Sequence, residues 1–220
     1  TKVARTISRK KESSGSSDGH KFTRECKISD NKVDPAEKPA LGKILAISGH
    51  CQQASVEEKH EEDEENGEPK LSGDPTEQAL LVLSKKHKTE DDPYKTIDDL
   101  PFNSEQKFRA TLVESDGDKE LFVVGAPEVI LDKSEKILQN DNAEELTDER
   151  REQVREQMEK WTDNDMRAIA LAYRPDVDDD KAEAGMVEGL TLAGIVGITD
   201  PPRPEIEKAV SDCKSAGIRV

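Results

Sequence analysis

Aromatic residues are nearly absent, at 3% of 220 residues. A core built around rings is therefore excluded, and each ring that does occur carries weight. Hydrophobic residues of all kinds reach only 32%, below the usual globular share, so some windows never pack into a core. No apolar run approaches the ~20 residues of a membrane helix, and no charged-then-apolar leader is present. Cysteine is scarce: Cys26, Cys51 and Cys213 are widely spaced and odd in number. No disulfide framework fits them and no C-x-x-C occurs, which points to a reducing compartment, the cytosol. His20, His50, His60 and His87 are scattered, and the adjacent His50-Cys51 lacks the four ligands of a structural zinc site. Positive charge is the scarcer sign, with 33 Lys and Arg against 49 Asp and Glu, a net of −16. Such a field repels a phosphate backbone, which sets nucleic acid aside, and disfavours an anionic membrane surface. A small polyanion remains compatible wherever Lys and Arg cluster locally.

Ready-made chemistries are missing as well. There is no G-x-x-x-x-G-K-[ST] loop, no G-x-G-x-x-G and no G-x-S-x-G elbow. Carboxylates are so common that no pair stands out as acid and base.

What is present is a patchwork. TKVARTIS has the look of a short strand, followed by a Ser/Gly-rich loop. Leu41, Ile44, Leu45 and Ile47 fall at helical spacing after Pro39. Residues 57–70 form an acidic low-complexity insertion, expected to be solvated and flexible. SGDPTEQALLVLSKKHK predicts a buried helix: Asp74 can cap it, Pro75 suits its first position, and Glu77 is the third helical residue. A strand ending near Leu100-Pro101 precedes one from about Lys107 to Glu114. Asp116-Gly117 is a hairpin turn, and KELFVVG is the returning strand. Pro127 opens a short helix over PEVILDKSEKIL, and Thr147 caps another whose stripe is Val154, Met158 and Trp161. MRAIALAYR and LTLAGIVGI are strands, and PEIEKAVSDCKSAGI is an amphipathic helix ending at Gly217.

Hairpin strands among separate helices predict an α+β fold, an antiparallel β-sheet flanked by helices. The tail differs: strand, Pro bend, helix and new strand open a parallel βαβ unit of a doubly wound domain. Because AGIRV is itself strand-like, the expectation is a piece of a longer protein.

Five segments, SGDPTEQALL, LPFNSEQKF, FVVGAPEVIL, MRAIALAYR and GIVGITDPPRPEIEKAVSDCKSAGIRV, follow one another from about residue 36 to the end. In order and approximate spacing they resemble the cytosolic nucleotide-binding domain of P-type cation-transporting ATPases of type II. The resemblance implies a nucleotide-binding domain over 1–198, with 57–70 as an extra insertion. It also implies a hinge at Asp200, Pro201, Pro202 and Arg203, after which 199–220 starts the second half of the phosphorylation domain. The implied ligand is ATP, as Mg-ATP in the intact pump, presented to a phosphorylated Asp outside this chain. The implied partners are the phosphorylation and actuator domains of a parent integral membrane protein, of which this is a cytosolic part. On its own the chain is not expected to hydrolyse ATP.

The resemblance also assigns residues. Glu77 matches the acceptor for the adenine amino group, Phe102 the aromatic stacked on adenine, and Lys107 a pocket lysine near purine and phosphates. Gly125 matches the glycine that lets backbone approach the nucleotide, and Arg167 an arginine that reaches the phosphates. Each has an ordinary reading too. Glu77 could complete a capping box with Asp74, Lys107 could be a solvated strand lysine, and Arg167 could pair with Asp163 or Asp165. Phe102 could be a core ring, although Phe108 and Phe122 suit that better. Two departures stand out: Ser104 where some pumps have a phosphate-binding arginine, and Val124 where the family turn has lysine. The alternative function is a non-catalytic acidic interaction module on the same fold. DPTEQALL is similar to calcium pumps and PFNS to sodium-potassium pumps, so the transported ion stays open.

Overall fold

The computed structural model describes residues 27–28, 31–32, 39–56, 71–85, 92–139, 142–199 and 204–219. In chain order these form β1 (Lys27–Ile28), β2 (Asn31–Lys32), α1 (Pro39–His50), β3 (Ser55–Val56), β4 (Leu71–Ser72) and α2 (Pro75–Lys85). There follow β5 (Lys95–Asn103), β6 (Phe108–Ser115), β7 (Asp118–Gly125), α3 (Pro127–Asp132), β8 (Ser134–Gln139), β9 (Asn142–Glu145) and α4 (Asp148–Thr162). β10 (Arg167–Arg174), a 3-10 turn (Ala184–Met186), β11 (Leu190–Ile198) and α5 (Pro204–Ser215) complete the chain.

Seven strands make one sheet in the order β5-β6-β7-β10-β11-β8-β9. Every pairing is antiparallel except β11 with β8. The sheet is buried on both faces at its centre, which explains why its inner strands are apolar almost throughout. Side chains alternate: Phe108, Ala110 and Leu112 of β6 join Leu121 and Val123 of β7 on the face covered by Ile130, Leu131, Val154 and Trp161 of α3 and α4. Val113, Phe122 and Val124 point the other way, to Leu41, Ile44, Leu45, Leu80 and Leu83 of α1 and α2. The α+β architecture of the sequence reading is the one observed, with β11 as a central strand of the sheet.

Local signals set most boundaries. Asp74 Oδ1 accepts from the Thr76 amide at 2.8 Å, so Asp74 caps α2. Asp116 and Gly117 both have positive φ, 54° and 90°, as a two-residue hairpin turn requires. Thr147 caps α4 by accepting from the Arg150 amide, and Gly217 (φ 73°) follows α5 in the left-handed region.

Three expectations are corrected. The strand predicted to end near Pro101 runs on to Asn103, with a register shift between Leu100 and Asn103. A proline has no amide to donate, and an edge strand tolerates that gap. The helix expected over residues 127–138 stops at Asp132, and residues 134–139 are β8. Ser134 Oγ closes the helix by donating to the Ile130 carbonyl at 2.6 Å, and Ser134, Lys136 and Ile137 then pair with β11. An open sheet edge outweighs a short helical pattern there. Lys107 precedes β6 instead of starting it: it ends a turn over residues 104–107 with φ 59°. TKVARTIS, the acidic insertion at 57–70 and the stretch Asp200–Arg203 lie outside the described residues. The ends of the insertion are joined by a two-rung ladder, Ser55 with Ser72 and Val56 with Leu71.

Candidate functional site

Antiparallel order places the C-terminal end of β5, the start of β6, the C-terminal end of β7 and the start of β10 at one end of the sheet. Phe102, Lys107, Gly125 and Arg167 are at those four strand ends, respectively. The first turn of α2, carrying Thr76 and Glu77, reaches the same end. Arg167 Nη1 donates to Thr76 Oγ1 at 3.2 Å, and Glu77 Oε1 accepts from Arg109 Nη1 on β6. All five residues assigned by resemblance therefore share one region.

Phe102 is 59% exposed, the most exposed large apolar side chain among the described residues, whereas Phe108 and Phe122 are buried. Lys107 and Glu128 are both half exposed and lie 3.4 Å apart, a pairing of little energetic consequence. The Lys107 amide donates to Asn103 O at 2.7 Å, and its carbonyl accepts from Ala126 N at 2.9 Å. Those bonds hold its left-handed backbone and tie the 104–107 turn to the end of β7. Gly125 is tightly enclosed by protein. A Cβ built on it would stand 2.6 Å from Lys107 O and 2.9 Å from Phe108 Cα. This glycine permits a close approach of the neighbouring strand. Val124, one residue earlier, is buried on the α1–α2 side.

Among the described residues Arg167 forms no ion pair with Asp163 or Asp165. Glu77 does not complete a capping box; its carboxylate turns to Arg109, and Asp74 caps alone. Arg109 is the residue that the sequence reading missed. It is 4% exposed, and its Nη2 donates to both oxygens of Asp99, at 2.9 and 2.8 Å. Burial alone lowers an arginine's pKa, but the hydrogen bond to Asp99 and the charges of Asp99 and Glu77 outweigh it, and the net direction is upward. Asp99 also accepts from Thr111 Oγ1 at 2.8 Å and Gln53 Nε2 at 3.0 Å. The signal in the sequence was a lone cation within an otherwise uncharged alternation over residues 108–113.

His50 and Cys51 diverge. The ring nitrogens of His50 meet Thr96 Oγ1 at 3.1 Å and Asp92 Oδ2 at 2.9 Å. The Cys51 thiol instead faces the carbonyls of Arg109 and Phe122, and burial pushes it up to about 12. At neutral pH it is a protonated, inert core group.

Chemically, the sheet end combines an exposed ring face, a carboxylate acceptor and two exposed cations, Lys107 and Arg167. An aromatic heterocycle with an amino donor and an anionic tail matches that set.

The family profile described as "P-type ATPase, cytoplasmic domain N" matches residues 40–205. A calcium-transporting ATPase of Bacillus subtilis (strain 168) is 30% identical over 198 residues, 87% of this chain and 22% of that protein. Calcium-transporting ATPase 1 of Lactococcus lactis is 33% identical over 69% of this chain and 18% of its own length. Calcium-transporting ATPase 4, plasma membrane-type, of Arabidopsis thaliana is 32% identical over 71% of this chain and 16% of its own length. The chain thus spans about a fifth of these relatives.

Proposed function

Because this chain belongs to the P-type ATPase cytoplasmic N-domain family, we propose that it binds ATP at the sheet end carrying Phe102 and Glu77. The observation that carries this reading is the exposure of Phe102, 59%, in a chain that buries Phe108 and Phe122. An apolar ring left in water beside a carboxylate and two cations is suited to stacking on a base. Adenine lies against Phe102 and gives its amino hydrogens to Glu77. Lys107 and Arg167 neutralise the phosphates, and Mg²⁺ accompanies them.

The chain's own contribution is binding and orientation. Phosphoryl transfer is governed largely by positioning and charge neutralisation. The acceptor Asp belongs to another part of the longer protein, and residues 199–220 lead the chain back towards that part. The names of the relatives point to Ca²⁺ as the transported cargo of the parent pump.

Titration with ATP, followed through the backbone amide signals of the 220-residue chain, tests the reading. Shifts centred on Phe102, Gly125 and the first turn of α2 are expected. Millimolar ATP that leaves those signals in place refutes it.

A further inference from the structure

The carboxylate assigned to the adenine amino group is held by a single described partner. Glu77 Oε1 takes its hydrogen bond from Arg109 Nη1, and no other described group bonds the Glu77 carboxylate. Asp99, the other carboxylate on this guanidinium, is held three ways, by Arg109, Thr111 and Gln53. The asymmetry gives the cluster a direction. Asp99 is the anchor, Arg109 is fixed by it, and Glu77 is fixed by Arg109.

The guanidinium is not saturated. Its Nε–H is buried and has no acceptor among the described residues. A buried donor without a partner is costly, and an arginine placed only for stability would be expected to complete its bonds. Directly across the strand pair stands Val124, which brings no charge. The positive charge in contact with Glu77 therefore comes from β6.

We propose that Arg109 is a positioning residue that determines purine specificity, a role that rests on the ATP reading above. The guanidinium commits Oε1 of Glu77 and leaves Oε2 as an acceptor for the base. A paired carboxylate accepts and does not donate. The 6-amino group of adenine donates to it, whereas the 6-oxo group of guanine sets two acceptors face to face. Arg109 thereby makes Glu77 a filter for adenine without touching the nucleotide.

The test compares ATP and GTP affinity of the 220-residue chain by calorimetry, with thermal unfolding followed on each variant. Arg109→Met keeps an unbranched apolar stem and removes the charge. It is expected to weaken ATP about tenfold and leave GTP nearly unchanged, which narrows the ratio by the same factor. Adding Val124→Lys to Arg109→Met restores an ammonium from the facing strand position and recovers part of the ratio. In the unaltered background Val124→Lys adds little, because the charge is already supplied. A folded Arg109→Met with the original ATP-to-GTP ratio overturns the proposal. If that variant does not fold, Arg109→Lys decides: a point charge without the planar fork cannot hold both carboxylates, so an unchanged ratio again overturns it. Phe102→Ala separates the two levels. If the unaltered chain does not bind ATP, the site reading fails. If it binds, and Phe102→Ala weakens binding while the Arg109 variants keep their ratio, only the role of Arg109 fails.

Discussion

Replacing Phe102 by alanine should separate binding from folding. The ring is 59% exposed, so about three-fifths of its surface is still in water and contributes nothing to the core. Fully burying a Phe side chain is worth roughly 1.5–3 kcal/mol. A base stacked on one face covers at most about half of the ring, which leaves about 0.75–1.5 kcal/mol, at the low end of the ~1–3 kcal/mol measured for base–aromatic stacking. ATP affinity should therefore fall about 4- to 13-fold. Substitution at an exposed position away from caps and buried networks changes stability by about 0.5 kcal/mol or less, or at most about 2 °C in Tm for a domain of this size. Calorimetric titration with ATP and a thermal melt on the same sample measure both quantities. Phe102→Trp, with a larger π face, should bind at least as well as the parent. An unchanged ATP affinity in Phe102→Ala, or a melt lowered by more than about 5 °C, would show the ring to be structural and sink the argument.

Two further substitutions probe the scaffold. Gly125→Ala drives a methyl against Lys107 O and the Phe108 backbone; a loss of about 1–3 kcal/mol is expected in urea unfolding, whether or not nucleotide is present. Lys43 donates to Glu120 and Tyr94 and lies over the rings of Tyr94, Phe122 and Tyr173. Burial alone would lower its pKa, but the bonds to Glu120 and Tyr94 outweigh burial and raise it above the ordinary lysine value of 10.5. The charged form is thus favoured by folding. Its stabilisation is fully present below the unfolded value and is lost as pH rises through the higher folded value. Lys43→Met should cost about 1.5–3 kcal/mol at pH 7. The gap to the parent should close in urea melts above the unfolded-state value of 10.5; a pH-independent gap would contradict the assignment.

The parts of the fold that were legible in advance are those whose cause is local. Asp74 and Thr147 cap helices through amides two or three residues away, and Asp116-Gly117 needs only its own positive φ angles. β8 escaped because its cause is distant: residues 134–137 become a strand only where β11, more than fifty residues later, offers an edge. At the site, the exposure of Phe102 was legible from its polar neighbours Asn103 and Ser104, and the burial of Phe108 and Phe122 from strand alternation. Arg109 was hidden because a cation on a strand is ordinarily solvated. Its significance depends on α2 bringing Glu77 above β6, which no short window contains. At Gly125 the sequence shows that backbone must come close without showing which backbone, and the neighbouring strand at Lys107 and Phe108 is one such approach.

The two-rung ladder of β3 and β4 has a consequence for how this chain tolerates change. By pairing Ser55 with Ser72 and Val56 with Leu71, it fixes the distance between the two ends of whatever lies between them. Gly73 then packs its Cα against Ala54 with no room for a Cβ, and Asp74 starts α2. A closed loop grows more costly only logarithmically with length, so doubling it costs roughly 0.6 kcal/mol. The ladder therefore acts as a port in the chain. Length between Val56 and Leu71 can change at small energetic cost, so the segment can be rewritten by an engineer to carry a tag or sensor peptide. Beyond the port, the start of α2 and the placement of Glu77 are set by contacts that such changes do not reach.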